Sequence, residues 1–261
     1  MRPDAAWLQA AAAGLGAGAL LALAVWAASL RRRDVSIVDS AWGFLVLLPA
    51  LVVAALLPSQ GSRAAAVLGL AGAWALRLSV YIAWRHRGQP EDRRYQAIRR
   101  RNEPNFAWKS LYLVFGLQAL LGWIVAAPLM AAVASPVPWQ ALDVLGLAVA
   151  AFGLLFEAVA DAQMARFRAD PRNRGRVMDQ GLWRLSRHPN YFGECCLWWG
   201  LWLVAAAAGA WWTLLSPLLM TVLLLKVSGV PLLEKDLGRQ RPGYADYVRR
   251  TPAFVPWRQR G

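Results

Sequence analysis

GLWRLSRHPNYFGECCLWWG, Gly181 to Gly200, sets a basic polar loop directly against an apolar run and places a carboxylate, Glu194, at the seam. Cys195, Cys196, Leu197, Trp198 and Trp199 follow it, so the glutamate begins a hydrophobic span rather than a solvated face. An ionisable group at that depth is costly and marks a functional site by default. Pro189 suits the first position of a helix, so Asn190 and Glu194 share one helical face, with Trp198 a turn further on. His188 then lies at the positive end of that helix, where backbone N–H groups point outward and bind phosphate.

Working outward, apolar runs of about twenty residues recur along the chain, the length a helix needs to cross a bilayer. The 261 residues are 58% hydrophobic and include 15 tryptophans. The expected fold is all-α, a polytopic integral membrane protein with about seven spans. These are Ala5 to Leu30, Ile37 to Leu57, Ala64 to Trp84, Trp108 to Val133, Leu142 to Met164, Tyr191 to Ala207 and Trp211 to Val230. The last two are short and separated only by Gly209 and its alanine neighbours, which predicts a tight helical hairpin. One membrane domain, residues 1–261, accounts for the chain, with no long linker or internal repeat.

Lysine and arginine accumulate in cytoplasmic loops near span ends. Of the 29 basic residues, all but Arg2, Arg63 and Arg77 fall in or beside four segments: Arg31 to Ser36, Arg85 to Ala107, Ala165 to Asn190, and the tail from Pro231. That alternation predicts an odd number of spans, with the N-terminus outside and the C-terminus cytoplasmic. RRR after the first span reads as a stop-transfer flank, so that span is expected to stay in the mature protein. The +14 net charge is spread over four membrane-flanking segments rather than one groove-sized surface, so nucleic acid is not the expected partner. Anionic lipid headgroups and an anionic cofactor are. Two cysteines, adjacent, and two histidines offer no metal-ligand spacing, and no metal is expected.

A second polar stripe lies in the fifth span. Glu157, Asp161, Met164 and Arg168 recur at helical spacing and share a face. Carboxylates inside a membrane helix need partners, and Arg77, Arg166 and Arg168 are candidates. Asp39 and Trp42 open the second span in SIVDSAWGF, while Trp74, Arg77 and Tyr81 align on the third. The loop 85–105 is long and charged enough to fold over a cofactor.

The pattern DPRNRGRVMDQGLWRLSRHPNYFGE (170–194), with SIVDSAWG, YIAWRHRGQPEDRRY and VSGVPLLEKDLGRQRPGYADYVRRTPAFVPW, resembles the bacterial branch of the steroid 5α-reductase family, also known as a domain of unknown function. The similarity runs from about Ser36 to Trp257. The family is related to membrane sterol reductases and, more distantly, to isoprenylcysteine carboxyl methyltransferases, which share an RHPxYxGE-like turn. The resemblance implies an enzyme of the bacterial inner membrane that reduces the carbon–carbon double bond of an enone in a lipophilic substrate, a 3-oxo-4-ene steroid, with NADPH. It assigns the cofactor to the part from about residue 157 to 257, through Asp161, Arg168, Asn190, Glu234, Lys235 and Tyr247, and His188 joins them from its place at the helix N-terminus. Arg172, Arg174, Arg176 and Arg187 suit its phosphates, because a guanidinium meets a phosphate through two donors.

Glu194 matches the family carboxyl that faces the substrate ketone, with Asp39 and Tyr81 beside it as catalytic candidates. Trp42, Trp74 and Glu157 complete the substrate side. Trp74 stands where the animal enzymes carry a substrate-facing tyrosine, Asp39 and Trp42 replace their early tryptophan-glutamine motif, and Glu234 replaces a histidine of related sterol reductases. Hydride addition to an enone puts negative charge on the carbonyl oxygen. A carboxyl in apolar surroundings is disfavoured as an anion, so a protonated Glu194 is the expected donor to that oxygen. The alternative is a methyltransferase using S-adenosylmethionine on a lipid substrate. Its cofactor carries no phosphate, and the seven arginines between Ala165 and Asn190 favour NADPH.

Overall fold

The computed structural model describes residues 3–57, 61–227 and 243–259. It is helical, with no strand among the described residues. The chain divides into two compact units, Met1–Gln140 with Val204–Ser216, and Ala141–Leu203 with Pro217–Gly261.

In the first unit, α1 (Ala5–Arg32) starts at Asp4, whose side chain accepts the Trp7 N–H at 2.8 Å, and ends on Arg31 and Arg32, which complement the negative helix end. α2 (Ile37–Leu56) packs between α1 and α3 (Ser62–His86). Pro49 inside α2 has no N–H and leaves the Leu45 carbonyl without its usual helical donor. Small residues close over that irregular turn. A Cβ on Gly14 would lie 3.0 Å from the Pro49 Cα, and one on Gly122 would lie 3.0 Å from the Leu45 oxygen. Close backbone approach of this kind packs helices where the surrounding lipid is as apolar as the side chains.

The segment after α3 contains a helix that apolar periodicity does not foresee, α4 (Arg93–Asn102), capped by Asp92. Tyr95 is buried with Val38, Leu45, Phe106 and Phe115, and Ile98 packs against that cluster. α5 (Phe106–Val125) includes a π-helical turn over Leu111–Gly116. The single span expected to Val133 is broken at Ala126, because Pro128 opens a separate short helix, α6 (Ala127–Val133).

The second unit begins with α7 (Ala141–Ala169), followed by 3-10 turns at Pro171–Asn173 and Gly181–Arg184. α8 (Pro189–Ala207) starts at the proline the sequence nominated. After α9 (Trp211–Val227), the last described helix is α10 (Tyr244–Arg250).

Among the described residues, α1, α2, α3, α5 and α7 are the 5 helices long and apolar enough to cross a membrane. Leu20, Val80 and Leu155 on these helices are exposed, as lipid-facing side chains are. The chain is therefore read as a multi-pass membrane protein. α8 has the length at 19 residues, but Asn190, Glu194 and its tryptophans lower its hydropathy, and α9 is apolar but short.

Candidate active site

α7 and α8 approach so closely that their shared face is built from glycine. A Cβ on Gly193 would sit 2.6 Å from the Glu157 nitrogen, and one on Gly200 would sit 2.6 Å from the Gly146 oxygen. Gly146, Gly153 and Glu157 follow helical spacing along α7, so the carboxylates one turn beyond the glycines come up against the first turns of α8. Asn190 Nδ2 donates to Asp161 Oδ1 at 3.3 Å. Glu157, Asp161 and Glu194 are all buried, at 2%, 6% and 6% exposure. The Asn190 Oδ1 atom is buried with no hydrogen-bond partner among the described residues. A buried amide oxygen left in that state is a point at which a bound group can donate.

His188 is buried where α8 begins, its ring stacked on Tyr191 with centroids 5.5 Å apart. Its backbone N–H donates to Ser186 Oγ at 3.1 Å. The loop before it is held to both neighbours in sequence. Trp183 Nε1 donates to the Ala160 carbonyl at 3.0 Å, next to Asp161, and the Leu182 N–H donates to Gln163 Oε1 at 2.9 Å. Gly181 turns there with φ at +56°, hard against the Gln163 amide. On its other side the loop carries the C-terminal segment. The Tyr247 hydroxyl donates to the Trp183 carbonyl at 2.5 Å, Ser186 Oγ to the Phe254 carbonyl at 2.7 Å, and the Trp257 N–H to the Leu185 carbonyl at 2.9 Å. Trp183, Gln163 and Ser186 were not singled out from sequence. Their partners are main-chain groups, which leave no pairing pattern in residue type.

The arginines separate into three roles. Arg187 donates through its guanidinium to the Val248 carbonyl at 2.9 Å and through its backbone N–H to the Pro252 carbonyl at 2.9 Å, so it caps the end of α10. Arg172 is paired with Asp170 at 2.8 Å and is strongly exposed. Its hydrogen bonds hold the Asp170 carboxyl below the ordinary carboxylate value, and the pairing raises the Arg172 guanidinium in turn. Arg174 and Arg176 are exposed on a cleft of about 770 Å³, whose other walls include Phe167, Asp179, Tyr247 and Arg250. Arg168 lines an adjoining cleft of about 270 Å³ with Asp170 and Asn173. Glu234 and Lys235 lie outside the described residues.

The family described as protein of unknown function (DUF1295) matches residues 25–251. The chain belongs to this family. No curated protein and no solved structure matches it. The DUF1295 match takes in all the candidate residues, including those of the first unit.

There, Asp39 accepts from Arg94 at 2.7 Å and from the Tyr95 hydroxyl at 2.5 Å, and so ties α4 to the start of α2. Glu91 accepts from Arg99 at 2.7 Å and from the Val35 N–H at 2.9 Å. The loop thought able to cover a cofactor is thus pinned to the α1–α2 turn through its own helix. Trp74 is buried, Trp42 is half-buried, and Tyr81 is half-buried with its ring 6.2 Å from Trp84 and 5.7 Å from the Arg85 guanidinium. Among the described residues, no three histidine, cysteine or acidic side chains stand together as a metal-ligand set.

Proposed function

We propose that this protein is an NADPH-dependent reductase that saturates the double bond of an enone in a lipophilic substrate, with 3-oxo-4-ene steroids as the class to test first. The observation that carries this reading is the burial of Glu157, Asp161 and Glu194 on two glycine-packed helices, with Asn190 bonded to Asp161 and a buried amide oxygen to spare. Buried carboxylates are costly, and a merely structural packing of α7 on α8 is served by the glycines alone.

The residues present fit a phosphorylated nucleotide. Asn190 offers its unfilled acceptor, and Asp161 orients the amide. Arg174 and Arg176 present guanidinium groups at the cleft of about 770 Å³, a volume within the range of ligand sites, and Arg168 lines the smaller cleft beside it. When bound, NADPH supplies a hydride. Hydride addition at the β-carbon moves charge onto the carbonyl oxygen, and a proton completes the α-carbon. Glu194 in its acid form donates a hydrogen bond to that oxygen, where a fixed donor in dry surroundings is most effective. The same reading places the protein in a bacterial inner membrane with seven crossings, α8 and α9 supplying the last two, the N-terminus outside and the C-terminus cytoplasmic.

Thermal shift of the purified protein with NADPH and with S-adenosylmethionine tests the cofactor, since a ligand that binds only the folded state raises apparent stability. NADPH is expected to stabilise and the methyl donor is not. Glu194→Gln is expected to lower enone turnover about 10²- to 10³-fold, the usual loss for a donor to a developing oxyanion, with little change in NADPH binding. Asp161→Ala should chiefly weaken NADPH binding, by about tenfold, as Asn190 loses its partner. Stabilisation by S-adenosylmethionine alone would sink the reductase reading in favour of a lipid methyltransferase.

A further inference from the structure

The five arginines of α4 are used unequally. Arg94 and Arg99 lie along the flanks of the helix and are taken up by carboxylates, Arg94 by Asp39 and Asp92 and Arg99 by Glu91. Arg99 also stacks over the Phe106 ring at 4.6 Å. Tyr95 and Ile98 face inward onto the unit's core. Arg100 and Arg101 are exposed at the end of the helix, and neither forms an ion pair among the described residues. The paired flanks fix the helix that carries them.

The surroundings set the depth of this face. α4 connects α3 and α5, two helices long and apolar enough to cross a membrane, so a chain that crosses at both carries α4 at one membrane surface. Trp108, at the start of α5, is 69% exposed and leans on Trp26 of α1, whose Nε1 donates to the Ala107 carbonyl at 2.9 Å. Lys109 Nζ donates to the Asn102 carbonyl at 3.1 Å, so the start of α5 is tied to the end of α4. An exposed indole on the same stretch of chain as unpaired guanidinium groups is the composition of a membrane-interface anchor facing anionic lipid.

We propose that Arg100 and Arg101, with Trp108, form a docking site for the phosphodiester headgroup of an anionic phospholipid. The site is preorganised by the Asp39–Arg94 and Glu91–Arg99 pairs. It lies in a different unit from the NADPH residues and does not depend on the reductase reading.

The test titrates short-chain phosphatidylglycerol, short-chain phosphatidylcholine and inorganic phosphate into the full chain in detergent, following thermal stability. Only phosphatidylglycerol is expected to stabilise saturably. A double substitution, Arg100→Gln with Arg101→Gln, should weaken its apparent affinity by about 30-fold, taking roughly fivefold per basic residue close to an anionic headgroup. Each single substitution should then give about fivefold, which keeps the test decisive if the double variant fails to fold. Arg249→Gln, which removes an exposed arginine already paired with Asp246 at 2.9 Å, should leave the affinity unchanged. An equal response to phosphatidylcholine or to free phosphate overturns the proposal. So does an unchanged affinity in the Arg100 and Arg101 variants, or an equal loss in Arg249→Gln.

Discussion

Asp39 was expected as a catalytic candidate beside Glu194, and an aspartate opening a membrane span needs a reason to be there. The structure supplies one in its own neighbourhood: Arg94 and Tyr95 both donate to it, and Gln118 Nε2 donates to the Tyr95 hydroxyl at 3.1 Å. Burial raises the Tyr95 phenol well above its ordinary 10.0, and the charge and hydrogen bond of Asp39 push it further. A folded value above the unfolded one means that the phenol's contribution is complete below pH 10.0 and is lost as pH rises through the folded value. Asp92 behaves in the opposite sense. Burial alone would raise it, but Arg94 outweighs that and holds it below 3.8, so its contribution is present above that pH and is lost on acidification. Tyr95→Phe is therefore expected to cost about 1.5–3 kcal/mol at pH 8, the range for a hydrogen bond to a charged group. The variant's melting temperature should also fall less steeply than wild type above pH 10. Parallel curves for the two proteins across that range would show that Tyr95 does not hold Asp39.

At the scale of elements, the α7–α8 contact puts backbone against backbone. Gly193→Ala would drive a methyl group to within 2.6 Å of the Glu157 nitrogen and 2.9 Å of its Cβ, neither of which is the free end of a flexible side chain. The expected cost is about 1–3 kcal/mol, as for other overpacked sites, with a loss of the NADPH-induced shift because Glu157 and Asp161 move with the helix. Gly18→Ala on α1 is the matched control. A Cβ there meets nothing within 4 Å, so replacing a mid-helix glycine should be neutral or stabilising by about 0.5–1 kcal/mol. If both substitutions leave stability alike, the close approach at Gly193 is not what aligns the site.

The two helices of this contact were readable in the chain, while the glycine face between them was not. The four-three-four spacing that joins Glu157 to Arg168 and the proline start of α8 both survive, because helical periodicity and the missing proline N–H act within a few residues. Arg187 was expected at a phosphate, and the structure engages its guanidinium with a carbonyl 61 positions away that no residue type announces, because a carbonyl is common to every residue. α4 escaped notice because half of its residues are arginine, and only tertiary burial of Tyr95 and Ile98 gives it a face.

For the whole molecule, the decisive quantity is how many times the chain crosses the bilayer. If the arginine-rich segments share a side, an even number of crossings separates 165–190 from the tail, which a spanning pair or a hairpin that turns back within the membrane satisfies equally. Length favours the spanning pair. The 19 residues of α8 rise about 28 Å at 1.5 Å each, close to the roughly 30 Å of hydrocarbon. Trp211 and Trp212 are exposed just after the turn at Gly209, where an interfacial aromatic belt on the outer face would lie. Cys195 and Cys196 are free thiols, so a single-cysteine chain is made by replacing both with alanine and introducing Trp211→Cys. In intact cells a membrane-impermeant maleimide is expected to label that cysteine as readily as one placed near the N-terminus, whereas a cysteine in the 170–180 loop should react only after permeabilisation. Failure of the Trp211→Cys chain to label from outside, in cells that do label the N-terminal control, would make α8 and α9 a re-entrant hairpin. It would also reduce the count to five spans while keeping the two arginine-rich segments on one side.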